Sequence, residues 1–396
     1  MPVELKETHQ PLLSTRSMSR GNSRIHHVLS RRFRDCPFGF QLSYPNGTTQ
    51  TLGTGSTRVH IVLKHARAVS AVLSMDEGRI AETYMDGSLV IDGDMLSALS
   101  LRARLHDRNL LANLWRFVQP YVFGQVGTNS RAIRHHYELG PEFYRSFMDS
   151  EVPCYTQGIF EHDDEPLATA TRRKFDTCIN TCDLQPGRHV LEVGPGWGAF
   201  SSYAYERGIS VTGVMNSPDS KSYMDEFGQR LGYQWRMILD DIMHFDSQDR
   251  FDAIVLMGVM EHLPNYRAVL EKFSRLLKPG GYVYLDASAS RQKYVASSFT
   301  YRHIYPGNHS FFVLHDFLAA LARTPLHLHS LHCDRHNYFL TFKQWASNFE
   351  RNRHEIIQRF GARHFRRFHL YLWGSAHSFL TDILQCYRIV IQRPAT

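Results

Sequence analysis

The 396-residue sequence predicts an α/β fold built on a doubly wound parallel sheet, and three observations predict it. An apolar strand, Val190 to Val193, runs straight into glycines at alternate positions, Gly194, Gly196 and Gly198, and a helix-like stretch begins at Ala199. Strand-like and helix-like patterns then alternate toward the carboxyl end, as such a sheet requires. Phe251 to Gly258 is a near-continuous apolar run, the mark of a central strand buried on both faces.

The elements follow in order. Residues 1–35 are polar and rich in Arg and Ser, and are expected to form a flexible tail. Residues 36–105 read as a small N-terminal α/β domain. Within it Phe38 to Tyr44 alternates, Pro45-Asn46-Gly47 turns the chain, and Val59 to Leu63 is strand-like. Glu82 to Gly87 and Ile91 to Asp94 punctuate two further short elements. A helical linker is expected over 106–128, and the larger unit over 129–396. There a second strand, Ser210 to Val214, precedes Ser217-Pro218, which starts a helix as N-cap and first-turn residue. Asp240-Asp241-Ile242 closes a third strand. The central run ends in Met260-Glu261-His262-Leu263, at the carboxyl edge where such sheets bind ligands. Leu276 to Gly281 ends a helix, and Tyr282 to Leu285 begins another strand.

Composition excludes several classes. No stretch approaches the ~18 uninterrupted apolar residues of a membrane-spanning helix, and the first residues lack the apolar core of a secretion signal. Six cysteines show no paired framework. Cys178 and Cys182, four apart on a helical stretch, read as core thiols, and no metal site is expected. Reduced cysteines without an export signal point to a cytoplasmic location. The net charge of +7 suits an anionic partner. Nucleic acid is not expected, because no binding motif is visible and the arginines are dispersed. The basic stretch from Arg16 to Arg34 leaves two readings open, peripheral contact with a lipid surface and a solvated tail.

The glycine turn carries the most chemistry. Glycine lets the backbone approach a ligand, because no Cβ blocks positive φ or the contact itself. A dinucleotide-binding turn is spaced G-x-G-x-x-G; here the spacing is G-x-G-x-G, with no phosphate-gripping Lys-Ser/Thr after it. This tighter pattern resembles the S-adenosylmethionine (SAM) turn of Rossmann-like methyltransferases. On that reading Glu192, Gly194, Gly196 and Gly198 hold the cofactor, Gly196 nearest its methionine part and Gly198 in helix–strand packing. Many such proteins place an acid after the second strand. This chain has Met215-Asn216 there, so Asn216 with Ser217 is the candidate for the ribose. Asp241 with Ile242 is the candidate for the adenine.

With these pieces placed, the chain from about residue 36 resembles the cyclopropane fatty acid synthases and mycolic acid cyclopropane synthases, a family of SAM-dependent methyltransferases. Six segments carry the resemblance in order: His136–Tyr144, Val190–Gly198, Glu261–Pro264, Tyr301–Gly307, Asn337–Glu350 and Phe365–Leu372. The N-terminal module is similar to the extra domain of longer members. The resemblance implies a Rossmann-like class I methyltransferase sheet with a helical lid inserted over about 288–375. It also implies SAM-dependent one-carbon transfer onto an unsaturated carbon of a hydrophobic or lipid acceptor. In the family a bicarbonate ion, held by a cysteine, a glutamate, a histidine and tyrosines, supplies the base.

Carried over residue by residue, the glutamate falls on Glu261, followed by His262, and the tyrosines on Tyr137 and Tyr338. Tyr155 and Thr156, which open the segment Tyr155–Phe160, are further candidates for holding the cofactor. The cysteine falls on Gln157, with Cys154 three residues early, and the histidine falls on Asp286. An ionised Asp286 beside a bicarbonate would be a like-charge pair. Bicarbonate is therefore not expected to bind as in the family, and Asp286 or Glu261 is expected to accept the proton. Other readings stay open: a natural-product acceptor, ring closure on an adduct made by a radical-SAM partner enzyme, N-methylation through a Glu261-His262 pair, and a homodimer. A degenerate lipid-binding protein is the alternative outside enzymes, against which the intact glycine turn and Glu261-His262 argue.

Overall fold

The computed structural model describes residues 27–107, 139–263, 265–292, 297–306 and 310–395. The chain divides into two compact units, Met1–His106 and Asp107–Thr396.

In the first unit four strands, β1 (Gly39–Ser43), β2 (Thr49–Leu52), β3 (Thr57–Leu63) and β4 (Leu89–Gly93), lie in the order β2-β1-β3-β4. The Pro45-Asn46-Gly47 turn joins β1 and β2 as an antiparallel hairpin, and Gly47 takes φ 82° in it. Helices α1 (Ala66–Ser74), α2 (Glu77–Met85) and α3 (Met95–Ser100) complete the unit. Asp76 and Asp94 cap α2 and α3 by accepting backbone N–H groups of their first turns. The tail expected through residue 35 ends earlier. Residues 27–32 are helical, Leu29 and Phe33 are buried, and Phe33 meets Phe40 edge-on at 5.2 Å. Two apolar residues one helical turn apart suffice to dock this segment, although its average composition is polar.

The second unit holds seven strands in the order β10-β11-β9-β8-β5-β6-β7. They are β5 (His189–Val193), β6 (Ser210–Met215), β7 (Arg236–Leu239), β8 (Phe251–Met257), β9 (Leu277–Ala289), β10 (His327–Cys333) and β11 (Gln385–Gln392). β5 to β9 run parallel; β11 is wedged antiparallel between β9 and β10. The order reverses between β5 and β8, which opens a crevice at the carboxyl ends of those strands. Helices in chain order are α4 (Gly140–Arg145), α5 (Leu167–Thr181), α6 (Ala199–Tyr205), α7 (Pro218–Leu231), α8 (Tyr266–Leu276), α9 (Leu314–Leu321), α10 (Arg335–Arg351), α11 (Arg353–Phe360) and α12 (Ala362–Leu380). One sheet face, with Ile254, Leu256, Val283 and Leu285, packs on Val269 and Phe273 of α8 and Phe317 of α9. The other, with Ala253, Val255, Tyr284 and Val390, packs on Phe175 and Cys178 of α5, Phe200 of α6 and Met224 of α7.

The insertion expected as a helical lid lies between β9 and β11 and is not wholly helical, because it contains β10. The sequence His327-Leu-His-Ser-Leu-His-Cys333 lacks the β-branched and aromatic residues enriched in strands. Pairing with β11, rather than local propensity, makes it one. Among the described residues no helix is long and apolar enough to cross a membrane.

Candidate functional site

The glycine turn follows β5 with all three glycines left-handed, Gly194, Gly196 and Gly198 at φ 69°, 57° and 81°. A Cβ on Gly194 would stand 2.7 Å from Val259 Cγ2, and one on Gly198 would stand 2.8 Å from Met224 Sδ. A Cβ on Gly196 would meet no atom of the described residues within 4 Å. Gly194 and Gly198 therefore serve packing as well as conformation, while Gly196 faces open space at the crevice. Glu192, buried at the end of β5, accepts a hydrogen bond from Ser201 Oγ on α6. Burial pushes its pKa up to about 7.

Asn216 and Ser217 follow β6, and Asp241 and Ile242 follow β7, so the three candidate cofactor segments leave neighbouring parallel strands at one edge. Ser217 caps α7 through the N–H of Ser220 at 3.3 Å, and Asn216 is exposed. Asp241 accepts from the N–H of Met243 at 2.8 Å, and Ile242 is buried. A bare backbone cradle flanked by these polar and apolar groups fits SAM.

Aromatic rings tie this edge to the segment between β9 and β11. Trp197, inside the glycine turn, lies 5.3 Å from the ring of Tyr144 and 6.5 Å from that of Tyr155. Tyr155 stacks on Trp345 of α10 at 5.1 Å, and Tyr371 of α12 hydrogen-bonds with Tyr155 and Tyr305.

Beside this edge lies a buried polar cluster. Asp286 on β9 is fully buried; its Oδ1 accepts from the Gly258 N–H at 2.9 Å, and among the described residues its Oδ2 has no hydrogen-bond partner. Lys174 Nζ stands 3.6 Å from that Oδ2. The same ammonium donates to Thr156 Oγ1 and lies 3.5 Å from Cys154 Sγ. Desolvation works against the lysine's charge, but Cys154 and Asp286 outweigh it and raise its pKa above the ordinary value. Glu261, after β8, accepts from the N–H and Oγ of Ser288 at 2.7 and 2.8 Å through one oxygen, and among the described residues its Oε2 is unpartnered.

Burial raises Glu261 and pushes Asp286 up to about 6; Lys174 opposes the rise of Asp286 and the charge of Glu261 adds to it. Tyr338 of α10 lies in the field of both acids, and burial holds its phenol well above the usual range. Desolvation pushes His262 down to about 4, so its imidazole is neutral. Gln157 is buried, with Nε2 unpartnered among the described residues. The next residue, Gly158, donates its N–H to Thr341 Oγ1 at 3.0 Å, one turn along α10 from Tyr338.

The cluster thus joins Glu261, Asp286 and Tyr338, with Gln157 on the adjoining segment. Tyr137 lies outside the described residues. Sequence reasoning missed Lys174 and set Cys154 aside, yet both touch the site. Gln157 and Tyr338 could donate to a bicarbonate, but Glu261 and Asp286 both offer acceptor oxygens and Lys174 is engaged by Thr156, Cys154 and Asp286. The residues present therefore fit that ion poorly.

The sequence matches the family described as mycolic acid cyclopropane synthetase over residues 125–389, and a domain of unknown function over residues 25–110. It is similar to a sphingolipid C9-methyltransferase of Komagataella phaffii, 24% identical over 337 residues that cover 79% of this chain and 69% of that protein. It is also similar to the cyclopropane-fatty-acyl-phospholipid synthase of Escherichia coli, 26% identical over 362 residues that cover 86% and 89% of the two chains. Among solved structures, the cyclopropane synthase MmaA2 from Mycobacterium tuberculosis shares the fold with a TM-score of 0.61 at 22% identity, over 66% of this chain and 97% of that one. Coclaurine N-methyltransferase bound to N-methylheliamine and SAH does so with a TM-score of 0.63 at 17% identity, over 81% and 98%. With the glycine turn at the strand-order reversal and the acid cluster beside it, the chain belongs to the mycolic acid cyclopropane synthetase family, and it is a SAM-dependent methyltransferase of the cyclopropane-synthase type.

Proposed function

We propose that the protein methylates or cyclopropanates an unsaturated carbon of a hydrophobic acceptor and removes the resulting proton with one of its own buried acids. The observation that carries this reading is the pair Glu261 and Asp286, each with an unpartnered buried oxygen and a pKa displaced upward. Bound SAM supplies an electrophilic methyl group. The alkene's electron pair forms the new carbon–carbon bond, and the neighbouring carbon becomes cationic. Loss of a proton from the new methyl closes a cyclopropane or, after a 1,2-hydride shift, leaves a methylene group, while loss of a proton from a chain carbon leaves a methyl branch on the alkene.

Asp286, titrating near 6, is mostly a carboxylate at neutral pH and can take that proton without holding it indefinitely. Tyr338, stacked on Phe379 at 4.6 Å, offers a π face to a developing cation and keeps water away from it. Lipid-directed relatives and the basic net charge support a lipid acyl chain as acceptor, met at a membrane surface from the cytoplasmic side.

The test supplies SAM carrying a trideuterated methyl group to the protein with vesicles of unsaturated phospholipid, and weighs the lipids by mass spectrometry. Retention of two deuterium atoms marks proton loss from the transferred methyl; retention of all three marks a methyl branch. No label in any lipid or small-molecule extract would overturn the reading.

A further inference from the structure

Lys174 occupies a position where packing alone would place an apolar residue. The buried residues of α5 include Ala170, Thr171, Lys174, Phe175 and Cys178, at the spacing of a core-facing helical stripe. A buried ammonium is costly unless paired, and hydrophobic residues of similar volume often stabilise such sites better. Here the ammonium meets Thr156 Oγ1, Cys154 Sγ and Asp286 Oδ2, and the side chains of Lys174 and Asp286 are 0% and 1% exposed. Almost no solvent reaches the pair to screen it.

Resting on the function proposed above, we infer that Lys174 is a positioning residue that holds Asp286 as an oriented carboxylate, so that the proton leaving the acceptor passes to it. Among the described residues, every other charged neighbour works against that state or is engaged elsewhere. Glu261 and Asp334 face Asp286 with like charge. Arg388, the other cation in reach among the described residues, gives its nitrogens to Asp334 at 2.9 and 3.4 Å. The remaining titratable neighbours are held neutral by burial: Cys178 of α5, Tyr284 of β9, Cys386 of β11 and Tyr338 of α10.

The geometry sorts the two carboxylate oxygens. The Gly258 N–H fixes Oδ1, while Oδ2 takes the charge of Lys174 but no hydrogen bond. A lone pair on Oδ2 is thereby left to receive a proton. In that step the acceptor's C–H electron pair closes the ring, the proton joins Asp286, and no redox partner is needed. The proton then leaves to solvent before the next cycle.

Infrared difference spectroscopy of the full chain tests the inference apart from turnover. The carboxylic-acid stretch of Asp286 is assigned by its loss in Asp286→Asn. In the unsubstituted protein the band should appear only as pH falls through about 6. In Lys174→Met its midpoint should rise by about one to three pH units, the usual effect of an opposite charge at this distance. Methyl transfer at neutral pH should fall at least tenfold, with SAM affinity by calorimetry retained. Lys174→Gln, a polar substitute also lacking the charge, is the second variant should Lys174→Met not fold, and the same band shift is expected. An unmoved band overturns the inference whatever the turnover. A moved band with full turnover upholds the role of Lys174 and instead removes Asp286 as the base.

Discussion

Gly194 and Val259 meet across the point where the strand order reverses: a Cβ on the glycine would stand 2.7 Å from Val259 Cγ2. The cofactor turn and the loop after β8 are therefore packed against each other before any ligand arrives. This contact separates the roles of the three glycines. Gly194→Ala and Gly198→Ala add a clash to a left-handed backbone, with Val259 and Met224 respectively. Each should lower stability by roughly 2 kcal/mol or more. Gly196→Ala meets no chain atom and should cost only the conformational penalty, about 1–2 kcal/mol, while weakening SAM binding at least tenfold. Gly196→Val should abolish it. Thermal unfolding and calorimetric titration read the two effects separately. Unchanged SAM affinity in a folded Gly196→Val protein would remove the turn from the cofactor site.

Asp286→Asn should leave SAM binding nearly intact and reduce methyl transfer by about a hundredfold or more, the range of a lost general base. Added bicarbonate should not stimulate the unsubstituted enzyme. A clear bicarbonate dependence would show that an external base works in spite of Glu261 and Asp286.

Glu192 gives a pH test of stability. Its folded pKa is raised to about 7 from the ordinary 4.5, because burial disfavours its charge. The protonated form is the one the fold favours. The stabilising contribution is full below about 4.5 and is lost as pH rises through about 7. Glu192→Gln keeps an acceptor for Ser201 and removes the titration. Its stability relative to the parent should improve by roughly 3 kcal/mol between acidic and mildly alkaline pH. Urea unfolding at both pH values checks this; a difference independent of pH would contradict it.

Trp345, fully buried and stacked on Tyr155, couples α10 to the cofactor edge. Trp345→Ala should cost about 3–5 kcal/mol of stability and weaken SAM binding by releasing the Tyr155 ring. Trp345→Phe, which keeps a ring there, should cost distinctly less of both. Denaturant unfolding and calorimetry distinguish this from a purely structural tryptophan, whose loss would leave SAM affinity unchanged.

The parallel core was legible because its signals are local: an apolar run, a glycine turn and a Ser-Pro helix start each announce one element. Three features were not legible for the same reason. Lys174 sits in a stretch, Thr171-Arg-Arg-Lys-Phe175, that reads as the solvated side of a helix, and only the distant Asp286 and Thr156 explain its burial. The strand β10 owes its form to a partner more than fifty residues away in sequence. Leu29 and Phe33 were hidden in a basic tail whose averaged composition masks two apolar anchors. For the acid site, the family resemblance indicated Glu261, Asp286 and Tyr338, but not the cation that balances them.

The wedged position of β11 has a consequence for biosynthesis. β9 and β10 have no contact in the sheet except through β11, which is translated after both. While the ribosome is still making α10 to α12, the Asp286 edge of β9 lacks its neighbour and β10 has no strand to join. The cofactor-side half, from β5 to β8, can zip together during translation, but the Asp286 edge of β9 is covered only when Gln385–Gln392 slides into the gap. A nascent chain stalled before that strand would expose an unpaired edge lined by a half-built polar cluster, and chaperone capture should be concentrated in that interval.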